Sequence, residues 1–129
     1  MAGHITIMTF GYSYGGPGSG FKHVANVQNV RAARSGTPEN DGRSGKVHDE
    51  VMANSAAKAW LEKMKKWSLE DGDKVAIGCS RGHHRSVAIA VEYASWLRSQ
   101  GYSVTLQNRD ISKAYALTFV DLLREIQKK

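Results

Sequence analysis

The sequence predicts an α/β fold: a single three-layer domain with a mainly parallel sheet and a phosphate-binding strand-loop-helix at the carboxyl edge of that sheet. Three observations carry the expectation. Stretches that alternate polar with apolar residues are followed by stretches with apolar residues at helical spacing. From residue 74 onward the order is strand, loop, helix, strand, helix, which calls for a right-handed crossover between parallel strands. The length, 129 residues, suits one hydrophobic core and not two, so residues 1–129 are read as one domain.

The elements follow in order. Residues 4–13 read as a first strand, stopped by the stretch Gly15-Gly16-Pro17-Gly18-Ser19-Gly20. Phe21, Val24, Val27 and Val30, separated by polar residues, mark a second strand over 21–30. Residues 31–46 turn to Arg, Ser, Gly, Asn, Asp and Pro, a long polar loop of the kind that carries function in compact domains. Met52, Ala56, Trp60, Met64 and Trp67 lie on one stripe of a helix spanning about 48–67, the ordinary signature of core packing. After Asp71-Gly72-Asp73 the apolar run Lys74-Val75-Ala76-Ile77-Gly78 reads as a buried strand, and residues 79–85 as a loop. Val87, Ala90, Val91, Ala94 and Leu97 mark the next helix, closed by Gly101. Residues 102–107 alternate as a strand, and residues 112–126 form a last amphipathic helix.

Composition narrows the function classes. Hydrophobic residues at 41% and charged residues at 23% exclude a disordered tail, and no apolar run approaches the 18 or so residues that span a bilayer, so no membrane partner is expected. The first residues lack a basic segment ahead of an apolar one, so they read as a strand and not as a signal peptide. The single cysteine, Cys79, can form neither an internal disulfide nor a multi-thiolate metal site; a cytoplasmic setting without metal or cofactor is the expectation. Eighteen Lys and Arg against twelve Asp and Glu give +6, an excess that favours phosphates of metabolites or nucleic acid and that a few solvated lysines also explain.

Chemistry concentrates in Gly78-Cys79-Ser80-Arg81-Gly82-His83-His84-Arg85-Ser86. A loop from a buried strand into a helix lies where α/β folds bind ligands. Backbone N–H groups wrapping toward a helix N-terminus attract anions, and Gly82 supplies the conformational freedom of the wrap. Arg81 and Arg85 add planar forks for phosphate oxygens, His83 and His84 add donors, and Ser86 is expected to cap the helix. The adjacent histidines point apart and lack partner ligands, which argues against zinc. Cys79 to Arg85 also spells C-x5-R, which resembles the phosphate loop of cysteine-dependent phosphatases; there Cys79 would attack phosphorus and Arg85 would clamp the transition state. A small buried residue at a strand end is an equal reading of Cys79, and Asp41 and Asp110 are the available general acids.

Three stretches are similar to the C-terminal domain of the RapZ family of RNase adapter proteins. Thr9-Phe10-Gly11-Tyr12-Ser13-Tyr14-Gly15-Gly16-Pro17 resembles its opening strand and turn, Ile77 to Val87 its Ile-Gly-Cys-Thr-Gly-Gly-x-His-Arg-Ser-Val loop, and Asn108-Arg109-Asp110-Ile111-Ser112-Lys113 the His-Arg-Asp-x-x-Lys segment after its last strand. The resemblance implies a domain that binds a phosphorylated metabolite, an amino-sugar phosphate in the best understood members, and that contacts small regulatory RNA and self-associates. It adds Gly11, Tyr12, Tyr14, Arg109 and Lys113 to the expected phosphate site. Tyr12 and Tyr14, two apart on a strand, stack on a sugar or base or else pack against a helix; Arg109 and Lys113, with Arg31 and Arg34, extend the site toward a second phosphate or an RNA backbone or else form a solvated basic face.

The departures are specific. Arg81 replaces a glycine of the family loop, Asn26-Val27-Gln28 replaces Asp-Val-Arg, and the following Asn-Pro turn is missing. Gly42-Arg43-Ser44-Gly45-Lys46-Val47 has neither the spacing of a Walker loop nor Ser or Thr after Lys, so the chain is read as the C-terminal domain without the nucleotide-binding domain that precedes it in full-length members. The leading expectation is a sensor or regulatory domain for a sugar phosphate or nucleotide. A cysteine-dependent phosphatase and an RNA-binding regulator are the alternatives.

Overall fold

The computed structural model describes residues 2–37 and 40–112. They form an α/β fold of four strands and three helices: β1 (Gly3–Gly11), β2 (His23–Asn26), α1 (Gly45–Met52), α2 (Ser55–Lys65), β3 (Lys74–Cys79), α3 (Arg85–Ser99) and β4 (Tyr102–Asn108). All strands are parallel, in the order β2-β3-β1-β4, consistent with the three-layer arrangement expected. Among the described residues no helix is long and apolar enough to cross a membrane.

The strand order dictates the layers. The β2–β3 and β3–β4 connections both step across the sheet in one direction, so right-handed crossovers put α1, α2 and α3 on one face. There Ile5, Ile7, Val75 and Ile77 meet Val47, Val51, Met64, Ile89, Tyr93 and Leu97 in the main core. The β1–β2 connection steps the other way and crosses the opposite face, where Tyr12 and Phe21 pack on Met8, Phe10 and Ala76.

Several element boundaries move from their expected positions. β1 stops at Gly11, and Tyr12–Tyr14 turn as a 3-10 helix, so the two tyrosines do not share a strand face. The second strand shrinks to four residues; Val27 and Val30 are buried in the turn that follows it. The helix expected over 48–67 is two helices. Asn54 breaks it, its side chain accepting the Ala56 N–H at 2.9 Å, the standard N-cap arrangement. The apolar period runs on through the break because both helices pack on the same core. The helix expected over 112–126 lies outside the described residues apart from its first position.

Candidate phosphate-binding site

The parallel register brings every strand end of interest to one edge. Gly11 stands beside Cys79, Asn26 beside Gly78, and Asn108 beside Thr9, so the loops after all four strands open on the same side. The loop from Cys79 to Arg85 sits at the middle of this edge, packed directly on backbone. Gly82 adopts φ +70°, and a Cβ there would lie 2.6 Å from the Gly11 nitrogen and the Phe10 carbonyl carbon. A Cβ on Gly11 would lie 2.3 Å from the Arg81 carbonyl carbon. From the polar loop, Gly42 approaches the His84 carbonyl and donates its N–H to the His83 carbonyl at 3.0 Å, while Gly36 lies against the His84 ring. Glycines from two distant segments are what let the loop sit where it does.

Cys79, Ser80, Arg81, His83, His84 and Arg85, with Ala32, line a cavity of about 140 Å³. It lies at the start of α3, whose N-cap position is His84, with no side-chain cap bond. Ser86 is therefore not the cap: it is the second residue of the helix, fully buried, and its Oγ accepts the Cys79 thiol at 3.2 Å. The thiol is buried as well, and its sulfur accepts the Gly82 N–H at 3.3 Å. His84 is oriented by the Thr37 carbonyl, 3.0 Å from its Nε2, and the rings of His83 and His84 lie 4.4 Å apart. Arg81 is exposed at the mouth.

The two arginines expected to bind phosphate together with Arg81 have other partners. Arg85 donates from Nη1 to the carbonyls of Gln28 and Val30 at 2.9 and 3.2 Å and from Nη2 to Ser80 Oγ at 3.1 Å. Three of its five N–H donors thus tie the β2 turn to the loop, which leaves two for an anion. Arg109 holds the glycine-rich turn, donating to the Gly15 and Gly16 carbonyls at 2.7 Å and to Asp110. Asp110 is wholly buried and also accepts the Gly11 N–H at 2.8 Å, so Arg109 and Asp110 brace the end of β1. Tyr12 packs edge-on against Phe10 at 4.8 Å. Lys113 lies outside the described residues.

Asp41, the other candidate acid, is gripped by Arg43, whose Nη2 and Nε donate to it at 2.7 and 3.0 Å and whose backbone N–H donates at 2.8 Å. Burial raises the Asp41 carboxyl, but the Arg43 hydrogen bonds, with the charges of Arg43 and His83, outweigh it and hold the group below its ordinary range. A carboxyl kept ionised in this way is a poor proton donor near neutral pH. Among the described residues no group of three or more His, Cys, Asp or Glu is arranged to hold a metal ion.

Residues 3–112 match the family model described as the RapZ C-terminal domain. The chain belongs to that family. Similar relatives include a "Nucleotide-binding protein" of Caldicellulosiruptor bescii, 32% identical with 84% of this chain and 41% of the relative covered. Another, from Thermoanaerobacter sp. strain X514 and also called a nucleotide-binding protein, is 33% identical over 84% of this chain and 42% of its own length. The chain spans about two fifths of these relatives. The matched span includes the whole edge just described: the turn after Gly11, the cavity loop and the Arg109–Asp110 brace.

Residues that sequence reasoning missed are those acting through backbone or through distance. Gln28 supports both Arg85 and Ser80, Ala32 lines the cavity, and Gly36 and Gly42 wall the loop. Gly36 and Gly42, set among the polar residues of the 31–46 loop, were the available signal.

Proposed function

We propose that the chain binds a phosphorylated small molecule, a sugar phosphate or nucleotide, in the cavity at the start of α3 and acts as a sensor or regulatory domain. The observation that carries this is an uncapped helix N-terminus opening into a small cavity ringed by Arg81, His83, His84 and Arg85. Free N–H groups and the positive end of the helix dipole favour an anion there. Arg81, exposed and lining the cavity, supplies the clamp, and Arg85 contributes its remaining donors. Thermal shift with a panel of sugar phosphates and nucleotides tests the reading. One compound class should raise the melting temperature, and Arg81→Ala should weaken it about tenfold, the worth of one charge-assisted hydrogen bond. A ligand response unchanged in that variant would refute the assignment.

Phosphoryl transfer by Cys79 is a second reading, favoured by one placement: the sulfur lies in the cavity wall, within the loop, where it accepts the Gly82 N–H. Release of phosphate from an aryl phosphate that disappears in Cys79→Ser would establish it; ligand binding without any release would dismiss it.

A further inference from the structure

A second and larger cavity, about 370 Å³, adjoins the loop cavity and is lined by Arg31, Ala32, Arg34, Glu50, Ala53 and Asn54. Ala32 lines both cavities, so the two meet at its side chain. The segment carrying Arg31 and Arg34 is fixed at both ends. Arg85 holds the carbonyls of Gln28 and Val30 just before it, and the carboxylate of Glu50 accepts the backbone N–H groups of Arg34 and Ser35 just after it. The negative charge of Glu50 is thereby turned on the backbone, although it still offsets part of the Arg34 charge. Among the described residues no side-chain hydrogen bond engages the guanidinium of Arg31 or Arg34, and both residues are exposed.

From this arrangement we propose that the domain selects a ligand with two anionic groups: one phosphate in the loop cavity, the second, past Ala32, on Arg31 and Arg34. The inference rests on the phosphate reading of the loop and adds the class of ligand. A cavity of 140 Å³ holds a phosphate group and little more, so the rest of the ligand extends beyond it. Past Ala32 the extension meets two planar guanidinium forks, which suit phosphate or carboxylate oxygens. A sugar bisphosphate and a nucleoside diphosphate both present this chemistry.

The test is calorimetric titration of the full chain with orthophosphate and two matched pairs, fructose 6-phosphate against fructose 1,6-bisphosphate and AMP against ADP; the pair that responds names the source of the second anion. At least one pair should show the doubly phosphorylated member bound about tenfold more tightly. In Arg31→Gln/Arg34→Gln that ratio should fall close to one while binding of the monophosphate changes little. Ala32→Phe, which places a bulkier side chain where the cavities meet, should likewise remove the advantage. Lys66→Gln/Lys74→Gln, the same loss of charge elsewhere on the surface, should keep it. A ratio near one in the wild type with the monophosphate bound, or a ratio that survives the double arginine variant, overturns the inference and leaves the phosphate reading intact. Failure of every probe to bind overturns both.

Discussion

Replacing Gly82 by alanine asks how strongly the loop depends on its backbone seat. Two costs add. The residue sits at φ +70°, and an L side chain in the left-handed region costs about 1–2 kcal/mol. The new Cβ would also stand 2.6 Å from backbone atoms of Phe10 and Gly11, in the middle of a parallel sheet where the strand cannot step aside. Overpacking of this kind costs about 1–3 kcal/mol more, so the sum is about 2–5 kcal/mol, a large share of the roughly 5–15 kcal/mol of a typical domain. Gly18→Ala is the matched control, with φ +85° and nothing within 4 Å, so only the conformational part applies. In urea unfolding, with a slope of about 1.5 kcal/mol/M, Gly82→Ala should lower the midpoint by roughly 1–3 M and Gly18→Ala by about 1 M. Equal shifts in the two variants would refute the backbone contact as the reason for glycine at 82.

Further outcomes follow from the same contacts. Arg109→Ala removes one cation that holds the buried Asp110 and should destabilise by about 2–3 kcal/mol in the same assay; the exposed Arg81→Ala should cost no more than about 0.5 kcal/mol. Tyr93→Phe removes a buried hydroxyl that donates to the Met64 carbonyl at 2.9 Å and should cost about 1 kcal/mol, with unchanged slope in urea. Asp41, whose carboxyl lies below its ordinary value of 3.8 in the folded state, contributes stability that is complete well above pH 3.8 and is lost as pH falls through the lowered folded value. Melting temperatures measured between pH 6 and pH 2.5 should therefore fall less steeply below pH 4 in Asp41→Asn than in the wild type.

What the sequence disclosed and what it hid divide along a physical line. The sequence pattern located β3, α3 and β4 to within about two residues, because their ends carry glycine, a turn or a polar run. It merged α1 with α2 because one core receives both, although Asn54-Ser55 held a cap signal. The loop around Cys79 was legible from its own residues as a strand-to-helix connection rich in arginine and histidine. The actual work of Arg85 and Arg109 was not, because their partners are carbonyls 55–57 and 93–94 residues away, and a carbonyl leaves no trace in the identity of the residue that bears it. Gly36 and Gly42 were hidden for the same reason: only the fold reveals that their missing side chains make room for His84.

The close seating of the loop among Gly11, Gly36 and Gly42 also bears on binding thermodynamics. A loop wedged between backbones has surrendered its conformational entropy on folding, so an arriving ligand has little left to order. Affinity at such a preorganised site rises and falls with the integrity of the walls. A substitution at Gly36 or Gly42, neither of which lines the cavity, would then register as weaker binding, while ligand would return the lost stability in proportion to its occupancy.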